Sequence, residues 1–163
     1  MIARAAQWIG ARRKQEDAYV AKHYRDGVLA VVCDGMGRHH DGELASSLAC
    51  EAYLRAFEKL DKLPMAQRMR DALEKANEEV RLSFESRRVY GGTTLLAVFV
   101  GAGVVRWVSV GDTALYLWRH GRLIRLNRVR QCPWSLSHRS GCRCSWCPGS
   151  GSGDLYPAAS APR

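Results

Sequence analysis

The chain has 163 residues, 47% of them apolar and 25% charged, which is enough for one globular domain with one core. Its net charge of +9 is not gathered into one stripe. Basicity alone therefore does not single out a nucleic acid over a phosphorylated partner. No apolar run approaches the length of a membrane span, and Arg4, Gln7, Arg12 and Arg13 interrupt the N-terminus where a signal peptide would need its apolar region. The expectation is a soluble, cytoplasmic monomer with neither nucleic-acid nor membrane partner.

Residues 2–9 alternate modestly and read as a first strand. Gly10 opens a basic, polar turn over residues 11–17. Residues 18–24 return to strand character, and Arg25-Asp26-Gly27 is a hairpin turn of the Asp-Gly kind. Residues 28–33 are a continuous apolar run, as in a buried strand. That run stops at Asp34-Gly35, where glycine permits a sharp turn and leaves its carbonyl open. His39, His40, Asp41 and Glu43 follow before a helix begins. Carboxylate and carbonyl oxygens at such a junction suit a hard divalent cation. An Asp-Gly pair by itself more often marks a plain turn, with Asp41 capping the helix.

Leu44, Ala45, Leu48, Ala49, Ala52, Ala56, Phe57 and Leu60 keep helical spacing. Pro64 suits the first turn of a second helix, whose inner stripe is Met65, Met69, Leu73, Ala76, Val80 and Phe84. These methionines are core filler rather than ligands. Gly91-Gly92 ends the helical stretch. Residues 93–100, 104–110 and 114–118 are β-rich, separated by glycine turns, and residues 123–126 continue the meander. Strands, a helix pair, then more strands predict an antiparallel α+β layered fold rather than a doubly wound parallel sheet.

Cys33 and Cys50 sit among apolar residues and read as buried core thiols. Near residue 129 the character changes. The last thirty-five residues hold fifteen Gly, Pro or Ser, four cysteines and no lysine, without a sustained period, so residues 129–163 read as an irregular tail. Without a secretory signal its cysteines are not read as a disulfide framework. Cys132, His138, Cys142, Cys144 and Cys147 lack the paired spacing of a zinc module.

Four segments stand out together: Arg12-x-x-x-Glu16-Asp17; Asp34-Gly35-Met36-Gly37-x-His39-x-x-Gly42-Glu43-x-Ala45-Ser46; Gly91-Gly92-Thr93-Thr94; and Val110-Gly111-Asp112-Thr113. In this order the chain resembles the metal-dependent protein serine/threonine phosphatases of the type 2C (PPM) class, bacterial type, over roughly residues 7–128. The resemblance implies an antiparallel β-sandwich flanked by helix pairs, with two Mn²⁺ or Mg²⁺ ions at one end. It implies that Asp34 bridges the metals and that Glu16 and the Gly35 carbonyl bind one of them. Asp112 would hold a weaker third ion, with Asp17 and His39 behind the ligands and Arg12 clamping the phosphate. The substrate would be a phosphorylated protein, a serine/threonine kinase or one of its targets. Two cations and an arginine neutralise a phosphate dianion, and a metal-bound water ionises near neutral pH for in-line attack without a phospho-enzyme.

Each residue also has a plainer reading. Arg12 could be a solvated charge beside Arg13 and Lys14, and Glu16 and Asp17 strand-edge acids. Glu43 and Ser46 read as helix-start structure. Thr93 and Thr94 are expected to pack and hydrogen-bond rather than react. The sequence also departs from the family pattern. Arg38 replaces a usual glycine and Ala114 a common arginine. Two later aspartates are missing, since the only acid after Asp112 is Asp154, in an unrelated Gly-Asp-Leu setting. After Asn127-Arg128, where an Asp-His-Ser-like segment is expected, Val129-Arg130-Gln131-Cys132-Pro133 follows. Residues 1–128 are thus expected to be a partial, C-terminally truncated phosphatase domain, and residues 129–163 to have the character of an out-of-frame translation. Two functional expectations follow: an impaired phosphatase, or a non-catalytic remnant that binds metal or phosphoprotein.

Overall fold

The computed structural model describes residues 1–37, 41–88 and 91–127, and the backbone of residues 152–157. The elements are β1 (Asp17–Tyr24), β2 (Gly27–Gly37), α1 (Asp41–Lys59), α2 (Met65–Arg87), β3 (Gly91–Thr93), β4 (Leu95–Gly101), β5 (Val104–Val110), β6 (Tyr116–Arg119), β7 (Arg122–Arg125) and β8 (Ser152–Pro157). All their pairings are antiparallel. One sheet runs β1-β2-β4-β5-β8, with β3 paired to the far end of β2, and β6-β7 form a separate hairpin. This is the expected α+β class.

Strand alternation decides which face the helices cover. Leu29, Val31 and Cys33 of β2, Leu95, Ala97 and Phe99 of β4, and Val108 of β5 share one core with Tyr53, Phe57, Met69 and Leu73 of the helices. Phe57 is its hub, with ring centroids 5.7 Å from Tyr24, 6.3 Å from Tyr53 and 6.1 Å from Phe99. Arg68 lies 3.7 Å above the Phe57 ring and donates from Nε to the Phe57 carbonyl at 2.6 Å, so its charge is held by a π face and a carbonyl. Lys22 and Tyr24 both reach Glu58, tying β1 to α1. Burial and then the Glu58 charge push the Tyr24 hydroxyl up to about 12.

Five details differ from the sequence expectation. Residues 2–9 form no strand, because the alternation has no face to bury: Ile2 and Trp8 are 79% and 88% exposed. β2 does not stop at Asp34 but runs on to Gly37, since Gly35–Gly37 pair with Gly91–Thr93. Gly91-Gly92 accordingly begins a strand. The helix ends earlier, at Arg88 with φ 54°. Side chains are excluded where these glycines meet α1: a Cβ on Gly37 or Gly91 would lie 2.8 or 2.9 Å from the Asp41 Cβ. Pro64 stands just before α2 rather than inside its first turn, and its carbonyl accepts from the Arg68 amide at 2.8 Å. Finally, part of the tail is regular. β8 pairs with β5, from Val104↔Pro157 to Val108↔Ser152, because an open strand edge offers backbone bonds that ask little of side-chain pattern.

Candidate functional site

The site is built on two neighbouring strand ends. In β1-β2, Asp17 stands directly opposite Asp34, so both carboxylates project from the same face of the sheet. This is the face away from the helices, since the adjacent Cys33 points into the core. Asp34 is driven above the usual aspartate value of 3.8. Desolvation is the largest cause, followed by the charge and hydrogen bond of Asp17. Asp112 pushes in the same direction and Arg12 opposes it. Asp17 and Asp112 thus act on Asp34 as like charges, with Arg12 as the opposing cation.

Glu16 precedes β1, and its carbonyl accepts the Gly35 amide at 3.1 Å. Its carboxylate turns toward the start of α1, where a Cβ on Gly42 would meet it at 3.1 Å. The positive end of the helix dipole lies there. Arg12, 67% exposed, pairs with Glu16 at 3.9 Å. A Cβ on Gly35 would come within 2.1 Å of the Gly42 carbonyl oxygen and 2.5 Å of the Glu16 oxygen, both backbone atoms. The Gly35 peptide is therefore wedged between the end of β1 and the entry to α1.

Asp34 is fixed through its backbone. Its amide donates to Thr94 Oγ1 at 2.9 Å, and its carbonyl accepts from the Thr94 amide at 2.9 Å and from Thr93 Oγ1 at 3.0 Å. Thr94 Oγ1 also meets Thr113 Oγ1 at 2.6 Å. Gly111, at φ 94°, leaves no room for a side chain against Thr94, which aims the turn carrying Asp112. The threonines thus pack and hydrogen-bond, as expected of them. Ser46 donates to the Glu43 carbonyl at 3.1 Å, an ordinary helix-start bond.

Three residues take roles that the sequence did not assign them: Gly42 against Glu16, Thr113 against Thr94, and the buried Asn127. Asn127 accepts from the Leu115 amide and donates to the Thr113 carbonyl, both at 2.8 Å, and so clips this loop to the end of β7. Threonine and asparagine at strand ends have too many uses to be read as clamps without their partners.

Asp34, Asp17, Asp112 and Arg12 are thus within electrostatic reach, with Glu16 beside Arg12. His39 and the cysteine-rich segment at 132–147 lie outside the described residues. The donor set fits a hard cation in chemistry: carboxylates facing one another at a strand end, with a glycine peptide alongside. As placed, however, no three Asp, Glu, His or Cys side chains among the described residues close around one point, because Glu16 turns toward α1 and Arg12 while Asp17 and Asp34 share the other face.

The layered fold and this anionic strand end define an α+β protein with a candidate cation and phosphate site. The chain belongs to the protein phosphatase 2C family, whose family model matches residues 9–130. It is 31% identical over 104 residues to the serine/threonine phosphatase stp of Listeria monocytogenes, an overlap of 60% of this chain and 41% of the Listeria protein. It is similar in structure to the PPM Ser-Thr phosphatase MsPP from Mycobacterium smegmatis in complex with cacodylate. There the TM-score is 0.60 and the identity 31%, over 71% of this chain and 47% of that one. It is similar, too, to the catalytic domain of the serine/threonine protein phosphatase PstP in complex with two manganese ions, with TM-score 0.60 and identity 27% over 72% and 50% of the two chains. The chain spans half or less of the length of each.

Proposed function

We propose that this chain carries the first half of a phosphatase site for phosphoserine and phosphothreonine in proteins. The observation that carries this reading is the Asp17-Asp34 pair, held face to face at two strand ends within reach of Arg12 and Asp112. Asp34, Glu16 and the Gly35 carbonyl would hold Mn²⁺ or Mg²⁺, with Asp112 a weaker ligand and Asp17 and His39 orienting the others. When bound, such ions polarise a phosphoryl oxygen and lower the pKa of water. Arg12 offers a planar fork of N–H donors that matches a phosphate. Its pairing with Glu16 is long and exposed, and exchanging it for a phosphate dianion costs little. Three hydrogen bonds to its backbone N–H and carbonyl hold in place the main chain that carries the Asp34 carboxylate. The substrate on this reading is a phosphorylated kinase or kinase target, met by a cytoplasmic monomer.

A second reading, a phosphatase-fold remnant without turnover, draws support from the absence of a closed three-acid cluster among the described residues. Two measurements on the purified chain separate the readings: calorimetric titration with MnCl₂ and release of phosphate from a phosphothreonine peptide. The first reading expects manganese binding that Asp34→Asn abolishes, with turnover well below that of a full-length relative. Manganese binding without turnover sustains the remnant instead. Binding unaltered in Asp34→Asn removes the first reading.

A further inference from the structure

The core of this domain contains a chemical pair that the site does not use. Cys33, on the helix-facing side of β2, and Cys50, in the third turn of α1, place their sulfurs 3.3 Å apart. Both are free thiols, 0% and 5% exposed. The two residues bracket the segment that begins with Asp34 and Gly35 and includes Gly42. Cys33 is the immediate neighbour of Asp34, whose peptide is already held by Thr93 and Thr94.

We propose that Cys33 and Cys50 are an oxidisable dithiol, a modification site at which peroxide ties β2 to α1 through a disulfide directly behind Asp34. A sulfur–sulfur bond is about 2.05 Å long, so the sulfurs must approach by a little over an ångström from their contact distance. The chemistry balances with hydrogen peroxide as oxidant. One thiol and one peroxide give a sulfenic acid and a water. The second sulfur then attacks the sulfenic sulfur. The S–S bond forms, the S–O bond breaks, and the hydroxyl leaves as a second water with the proton of the attacking thiol. Two thiols lose two electrons and peroxide gains them. Burial makes the first step slow in the closed domain, so the reaction proceeds through transient lifting of α1 from the sheet. The second step needs only repacking, which returns the partner sulfur to contact distance.

Once formed, the bond closes a loop over residues 33–50 and restricts the unfolded chain. It also limits how far α1 can part from the strand that carries Asp34. That consequence for cation binding rests on the phosphatase reading; the cross-link itself does not.

The test uses the full chain treated with hydrogen peroxide under native conditions, blocked with an alkylating agent and digested with trypsin without reduction. Cys33 and Cys50 fall in separate tryptic peptides, residues 26–38 and 39–55, and the tail cysteines in neither. The expected product is the 26–38/39–55 pair, two hydrogens lighter than the sum of the free peptides. Thermal melting should shift upward by roughly 5 °C or more, and the shift should be absent in Cys50→Ser and reversed by a thiol reductant. Alkylated Cys33 and Cys50 alongside oxidised tail cysteines would overturn the proposal, as would their pairing with the tail or a melting shift that survives Cys50→Ser. A chain that binds no manganese yet forms the 26–38/39–55 pair would defeat the phosphatase reading and leave this one standing.

Discussion

At the scale of single residues, Asp34 carries a cost that the fold imposes and a cation would relieve. Its carboxyl lies above the ordinary aspartate value, through desolvation first and Asp17 second. Between 3.8 and that raised value the native state holds more proton than the unfolded chain. Stability therefore falls as pH rises through this window, and above it the penalty is present in full. Asp34→Asn removes the charge, so in metal-free buffer above this window the variant should melt above the parent, with the gap closing on acidification below it. Manganese should reverse the order. At a hundred times its dissociation constant a native-state ligand adds about 2.7 kcal/mol, which the parent should gain and Asp34→Asn largely forgo. Differential scanning calorimetry with and without MnCl₂ measures both arms. Gly35→Ala is a separate matter, because its Cβ would press on two backbone oxygens that cannot step aside. It should lower stability by about 1–3 kcal/mol, as overpacking does, measured by urea unfolding.

At the scale of elements, the Gly91-Gly92-Thr93-Thr94 segment is scaffolding for Asp34. Thr94 is 2% exposed and satisfies the Asp34 amide while meeting Thr113. Thr94→Val keeps the shape and strands the amide, so it should cost about 1–3 kcal/mol and weaken manganese binding without removing any carboxylate. Calorimetry on the folded variant checks both. Phe57 holds the helix layer to the sheet, and Phe57→Ala should cost about 3–5 kcal/mol in the same unfolding assay. The sequence showed these elements unevenly. The apolar run through Cys33 and the 3.6-residue stripes of both helices have one physical interpretation, burial against a partner layer. Gly91-Gly92 has two, since glycine both ends helices and permits close strand pairing. Only the partner, Gly35–Gly37, decides between them. The roles of Asn127 and Gly42 were not legible for the same reason, because their meaning lies in what they touch.

At the scale of the whole molecule, the described chain leaves apolar surface uncovered. Tyr19 and Val32, paired on the sheet face away from the helices, are 46% and 41% exposed, and the β6-β7 hairpin exposes Tyr116, Trp118 and Leu123. The expected two-sheet sandwich is represented among the described residues by one large sheet and this hairpin. The fold class was legible because alternation and helical spacing are local. β8 was not, because its place depends on the edge of β5, a distant partner that no composition within residues 152–157 announces. That pairing is directly measurable. In an antiparallel strand, alternate amides point to opposite neighbours, so the β5 amides over Val104–Val108 divide between those facing β4 and those facing β8. A chain ending at Asn127 should lose hydrogen-exchange protection at the amides facing β8 and keep it at those facing β4. Equal protection of both sets in the shortened chain, read by NMR, would show that β8 contributes nothing to the sheet.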